Sequence, residues 1–142
     1  MFKKIFLLLI SFLCMNQLAA QNKENRKTIK TTRVTKAPKI DGVLNDAAWQ
    51  NTEIATNFVI FRPDNGKPVS SEYQTTVKVI YDDNAVYISA LMLDPDSANI
   101  PQEFATRDNF SQADFFLVTI NPNDDGQNPF EFVVQSTGNQ GD

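Results

Sequence analysis

Ile40-Asp41-Gly42-Val43-Leu44-Asn45-Asp46-Ala47-Ala48-Trp49 is the stretch whose reading decides the fold. An extended segment stops at Asp41-Gly42, and Pro38 and Gly42 punctuate the approach. Leu44 then turns inward. Asn45 or Asp46 is placed to cap a short helical turn, which ends on the only tryptophan of the chain. This is a distinctive way for a β-domain to begin.

Downstream, the pattern is of short strands between turns. Thr75 to Tyr81 and Ala85 to Leu93 flank Asp82-Asp83-Asn84 and predict a hairpin. The return strand is apolar on both parities, which predicts a central strand covered on both sides. Asp94-Pro95-Asp96 ends it, and an irregular stretch runs from Ser97 to Ala113. Phe115 to Ile120 and Phe130 to Gln135 predict a second strand pair about the turn Asn121 to Gln127. Phe130, Phe132 and Val134 share one face of it. Upstream, Thr28 to Val34 reads as a strand, and Asn57 to Phe61 is an apolar run of strand length before the turn cluster Arg62 to Pro68. No helix of ten or more residues and no internal repeat is supported. The expected fold is all-β, an antiparallel, jelly-roll-like β-sandwich. The last residues, Gly138 to Asp142, follow a strand without a closing element, so the sandwich is expected to be truncated at its C-terminus.

The first twenty residues predict an export signal. Lys3 and Lys4 precede the apolar run Ile5 to Leu13, and Leu18-Ala19-Ala20 offers small residues for cleavage. The run breaks at Asn16-Gln17, short of the roughly 20 apolar residues that a spanning helix needs. No transmembrane helix is expected in the mature chain. Residues 21–27 read as a flexible polar leader and 28–142 as the domain. The only cysteine, Cys14, lies in the signal, and the chain has no histidine. Disulfide scaffolds, histidine-based triads and ordinary zinc sites are therefore excluded from the mature part.

Charge is unevenly placed. Residues 21–39 hold seven bases and one acid, whereas residues 40–142 hold sixteen acids against four bases, a net charge near −12. Such a body disfavours nucleic acid and suits cations or neutral polar ligands.

The order of these features resembles the family-9-like carbohydrate-binding module. Ile40-Asp41-Gly42 with Leu44 and Trp49 looks like its opening, Val77 to Ile88 followed by Asp94 like its central signature, and Ala113-Asp114-Phe115-Phe116 through Asn121-Pro122 like a later strand. Arg107 to Phe110 and Asp124 to Asn128 are similar to a subgroup found at the N-terminus of large exported proteins of Gram-negative bacteria. The resemblance implies a periplasmic or cell-surface, outer-membrane-associated location and a role in carbohydrate catabolism. It also implies a longer parent with a downstream β-rich region, linked to O-glycosyl hydrolysis through the module it carries. Family members that bind sugar use two tryptophans, and this chain has one.

Arg107, Asp108, Asn109 and Phe110 are the candidate carbohydrate-binding group, because a charge pair, an amide and a ring suit a polyol. The same residues would equally make a loop tied by an ion pair. Trp49 is a candidate stacking ring or a plug at one end of the sandwich. Phe58 and Phe61 carry the same ambiguity, while Phe116, Phe130 and Phe132 are expected in the core. Calcium is the candidate cofactor, held in a loose oxygen cage by Asp124 and Asp125 or by Asp94 and Asp96; related modules carry structural calcium. Asn121-x-Asn123-x-Asp125-Gly126 mimics half of an EF-hand, but Phe132 stands where the closing glutamate belongs. A glycosidase pair from Asp108 with Asp114 or Glu103 would need about 5–9 Å across a cleft, and nothing in the sequence places them so. The chain is expected to be non-catalytic, with a glycan or the parent's downstream region as its partner.

Overall fold

The computed structural model describes residues 27–142. The expected signal, 1–20, and all but the last residue of the leader lie outside the described residues. The chain divides into two units, Met1–Lys30 and Thr31–Asp142. The described part of the first holds no strand or helix. The second is all-β: β1 Thr32–Arg33, β2 Ile54–Ala55, β3 Thr75–Tyr81, β4 Val86–Met92, β5 Phe115–Ile120, β6 Phe130–Gln135 and β7 Gln140–Gly141, with three single-turn 3-10 helices. No described helix is long and apolar enough to cross a membrane.

Two sheets form the layers of the sandwich. In the first, β4 pairs antiparallel with β3 over its whole length, from Thr75↔Met92 to Tyr81↔Val86. β2 meets β3 antiparallel at Val77 and Lys78, and β1 meets it parallel at Ile80 and Tyr81. In the second, β6 lies between β5 and β7. The β3–β4 turn forms because the Asp82 carboxylate accepts from the amides of Asn84 and Ala85, at 2.8 and 2.9 Å. These bonds replace ladder bonds at the point where the chain reverses. The β5–β6 turn uses the same device, with Asp125 Oδ1 accepting from the Gln127 amide at 2.9 Å.

The opening stretch forms its turn as read, with two changes: Asp46 has another partner, and Leu44, expected to turn inward, is 42% exposed. Gly42 takes φ +78, which a glycine adopts without steric cost. Ala47–Trp49 forms the short turn, but Asp46 does not cap it. Its carboxylate reaches back to the Lys39 amide at 3.2 Å. The turn lies against β3. Trp49 is 4% exposed and Ile80 is fully buried; with Val77 and Val133 they make up the buried apolar core.

Three expectations change. The Thr28 to Val34 strand shrinks to two residues, because only Thr32 and Arg33 pair with β3 in a ladder. The Asn57 to Phe61 run is not a strand: Asn57 takes φ +58, and only Val59 bridges, to Pro68. The doubly apolar β4 is an edge among the described residues, paired with β3 alone. The Phe130, Phe132 and Val134 side of β6 is likewise open, with Phe130 61% exposed and Phe132 and Val134 about half exposed. Phe130 and Phe132 are therefore exposed and are not the core residues expected.

Candidate functional site

The irregular stretch after β4 is a closed loop. An isolated bridge between Gln102 and Ala113 shuts its neck. The Glu103 carboxylate accepts from the Gln112 amide at 2.8 Å across that neck. At the tip, the Asn109 amide donates to the Thr106 carbonyl, and Asn109 Nδ2 donates to Thr106 Oγ1 at 2.7 Å. Asp108 takes φ +63, a conformation that aspartate tolerates better than most residues.

The tip is tied to β7. The Asp108 amide donates to the Gln140 carbonyl, and the Asp142 amide donates to Asp108 Oδ1 at 3.2 Å. Arg107 Nη2 lies 2.5 Å from Asp142 Oδ1 and its Nε 3.8 Å from Asp108 Oδ2. The Asp142 hydrogen bond, and then the charges of Asp142 and Asp108, raise the Arg107 pKa above its ordinary value. Phe110 meets Phe115 edge-on, with centroids 5.8 Å apart and planes at 69°. Ser111 donates to Gln135 at 3.2 Å, fixing the base of the loop to β6. The ion pair ties the loop down, and the loop presents Phe110, which is 64% exposed.

Trp49 lies elsewhere. It lines a cleft of about 780 Å³ between the sheets, with Ile88, Ala90, Phe116 and Gln135. Phe115 and Gln140 also line this cleft; Phe115 meets Phe110 and Gln140 accepts from the Asp108 amide, so the loop adjoins the cleft. Buried as it is, the Trp49 ring has no open face for a sugar. An exposed ring that the sequence reading did not single out is Phe104, 78% exposed on the same loop. Its position between Pro101 and Arg107 in a segment without periodicity was the available signal.

The calcium candidates fall in two separate turns. Asp94 Oδ1 accepts from the Asp96 amide at 2.8 Å, Asp96 from Asn99 Nδ2 at 2.8 Å, and Asp125 from Gln127. The hydrogen bond from the Gln127 amide holds the Asp125 carboxyl below the usual carboxylate range. No group of three acids converges among the described residues. Each turn brings two of the candidate carboxylates, whereas calcium takes six to eight oxygens.

A two-layered β-domain with a tied-down, aromatic-bearing loop belongs to the class of binding modules. The family model described as carbohydrate family 9 binding domain-like matches residues 40–129, and the chain belongs to that family. No curated protein and no solved structure matches the chain.

Proposed function

We propose that this chain is an exported, non-catalytic carbohydrate-binding module whose Gln102–Ala113 loop holds a glycan. Family membership carries the ligand class. The position of the site is supported by the loop itself: a neck closed by a bridge, a tip tied to β7, and Phe110 exposed beside Arg107 and Asn109. The Phe110 face would pack on the C–H face of a pyranose, and Arg107 and Asn109 would donate to its hydroxyls. Trp49 would act beneath the site, as part of the wall that supports Phe115. Residues 1–20 would serve as the export signal, placing the module in the periplasm or at the cell surface, in a parent protein linked to carbohydrate catabolism. The test is calorimetric titration of the folded protein with a broad panel of soluble oligosaccharides. Saturable heat with one of them is expected, and silence across the panel would sink the reading.

A second reading is favoured by the open edge of β4. That strand carries no charge, proline or glycine, the residues that normally guard an edge. Ile88, Ser89 and Ala90 line the cleft in succession. On this reading a β-rich region of the parent protein packs along β4, and the module binds no sugar. Covering β4 in the parent would slow hydrogen exchange of its amides relative to this chain.

A further inference from the structure

We propose that the tip of the hairpin formed by residues 57–68 is a second binding site, which takes an acidic saccharide: a uronate carboxylate on Arg62 and its pyranose face on Phe61. The saccharide half of this proposal rests on the carbohydrate-binding reading, whereas the anionic half stands on the hairpin alone.

The hairpin is tightly built. Val59 bridges Pro68, the Ile60 amide donates to the Lys67 carbonyl at 2.8 Å, and the Gly66 amide donates to the Ile60 carbonyl at 2.9 Å. Gly66 takes φ +84 where the chain reverses. The Lys67 ammonium is 2.9 Å from the Asp64 carboxylate, so these two charges cancel within the turn. What remains at the tip is a ring and a guanidinium. Phe61 is 74% exposed, and Arg62 Cζ lies 5.2 Å from its ring centroid.

Arg62 stands apart from the other bases of the acidic body. Lys67 is paired with Asp64, Arg107 with Asp142 and Asp108, and Lys78 donates to a backbone carbonyl. Among the described residues, Arg62 has neither a carboxylate nor a carbonyl partner; its contact is the Phe61 ring. The planar guanidinium fork matches a carboxylate in two parallel hydrogen bonds. The ring holds the fork from one side and offers apolar surface for a sugar face beside it. As the one cation among the described residues of the body without a carboxylate or carbonyl partner, Arg62 offers a place for one carboxylate at the tip. At the foot of the hairpin, Asn57, Phe58, Val59 and Gln74 line a cavity of about 310 Å³. That volume is at the lower end of small-ligand sites and leaves room for a neighbouring sugar unit.

The test is titration calorimetry with trigalacturonate, its methyl ester and neutral maltotriose. Each is run against the wild type, Arg62→Gln, Arg62→Lys and Phe61→Ala, with folding checked by circular dichroism. Trigalacturonate is expected to bind best and to lose affinity about tenfold on Arg62→Gln, as on losing a charge-assisted pair. Arg62→Lys should keep part of it, Phe61→Ala should weaken it, and added salt should weaken it further. Equal binding of acid and ester, an unchanged affinity on Arg62→Gln, or no binding of trigalacturonate would each overturn the proposal. If neutral sugars still bind in those cases, the carbohydrate-binding reading stands; if the whole panel is silent, both fail.

Discussion

The Lys78 ammonium donates to the backbone carbonyl of Trp49 at 2.9 Å, joining the middle of β3 to the end of the opening turn. The bond spans 29 residues of sequence and ends on the buried tryptophan. It answers a problem set by the turn: a carbonyl at the end of a single helical turn has no further turn to accept from, and near the core it has little water. Lys78→Ala should therefore cost about 2 kcal/mol, within the range for a hydrogen bond to a charged group that leaves its partner unsatisfied. Urea unfolding followed by Trp49 emission would read it directly, since the indole should shift to the red as the turn opens.

Phe110→Ala separates the binding role of the loop from its structural one. If Phe110 is the sugar platform, the variant should bind the best glycan of the panel about tenfold more weakly, as expected for an aromatic contact of about 1–1.5 kcal/mol. The loop should keep its shape, because its ties run through Asp108, Asp142 and Ser111. Unchanged calorimetric affinity would remove Phe110 from the site.

Asp82 should make the first hairpin sensitive to acid. The hydrogen bond from the Asn84 amide, against an opposing desolvation effect second only to it, and then the Ala85 amide, the Tyr87 hydroxyl and the charge of Arg33 hold its carboxyl below the ordinary aspartate value. A depressed folded pKa contributes stability that is present above the unfolded value of about 4 and is lost as the pH falls through the folded value. Stability should thus decline below about pH 4. Asp82→Asn should flatten part of that decline, the rest belonging to Asp41 and Asp125, whose carboxyls are lowered chiefly by the amides of Val43 and Gln127. A carboxyl-carbon NMR titration would locate the Asp82 transition. The same contact raises the Tyr87 pKa, so its phenol should stay protonated above pH 10.

Millimolar calcium, or its removal by chelator, should leave the melting temperature unchanged, because the candidate acids serve their own turns in two separate places. A calcium-dependent rise in melting temperature would show that further oxygens complete one of the turns.

The sequence patterns that foretold structure were those in which local and long-range signals agree. The β3–β4 hairpin combines β-branched strands with an Asp-Asp-Asn turn, and all seven residue pairs form. The β5–β6 pair follows the same logic. Where propensity stood alone it misled: Thr28 to Val34 is rich in β-branched residues but only Thr32 and Arg33 enter a ladder. β2 was invisible, because two residues carry no periodicity. In the candidate site, the ion pair of Arg107 was legible as a possibility, but its main partner, Asp142, lies 35 residues away and only the fold brings it there. Adjacent letters likewise could not say that Arg62 would lie over Phe61.

The uncovered Phe130, Phe132 and Val134 on β6, together with the unguarded edge of β4, bear on how the purified chain behaves in a tube. Such surfaces take up the dye ANS, adhere to hydrophobic resins and recruit one molecule to the next as concentration rises. Yield should improve at low expression temperature and with mild detergent in the buffer, and affinity measurements belong at the dilute end, where every binding site still faces water.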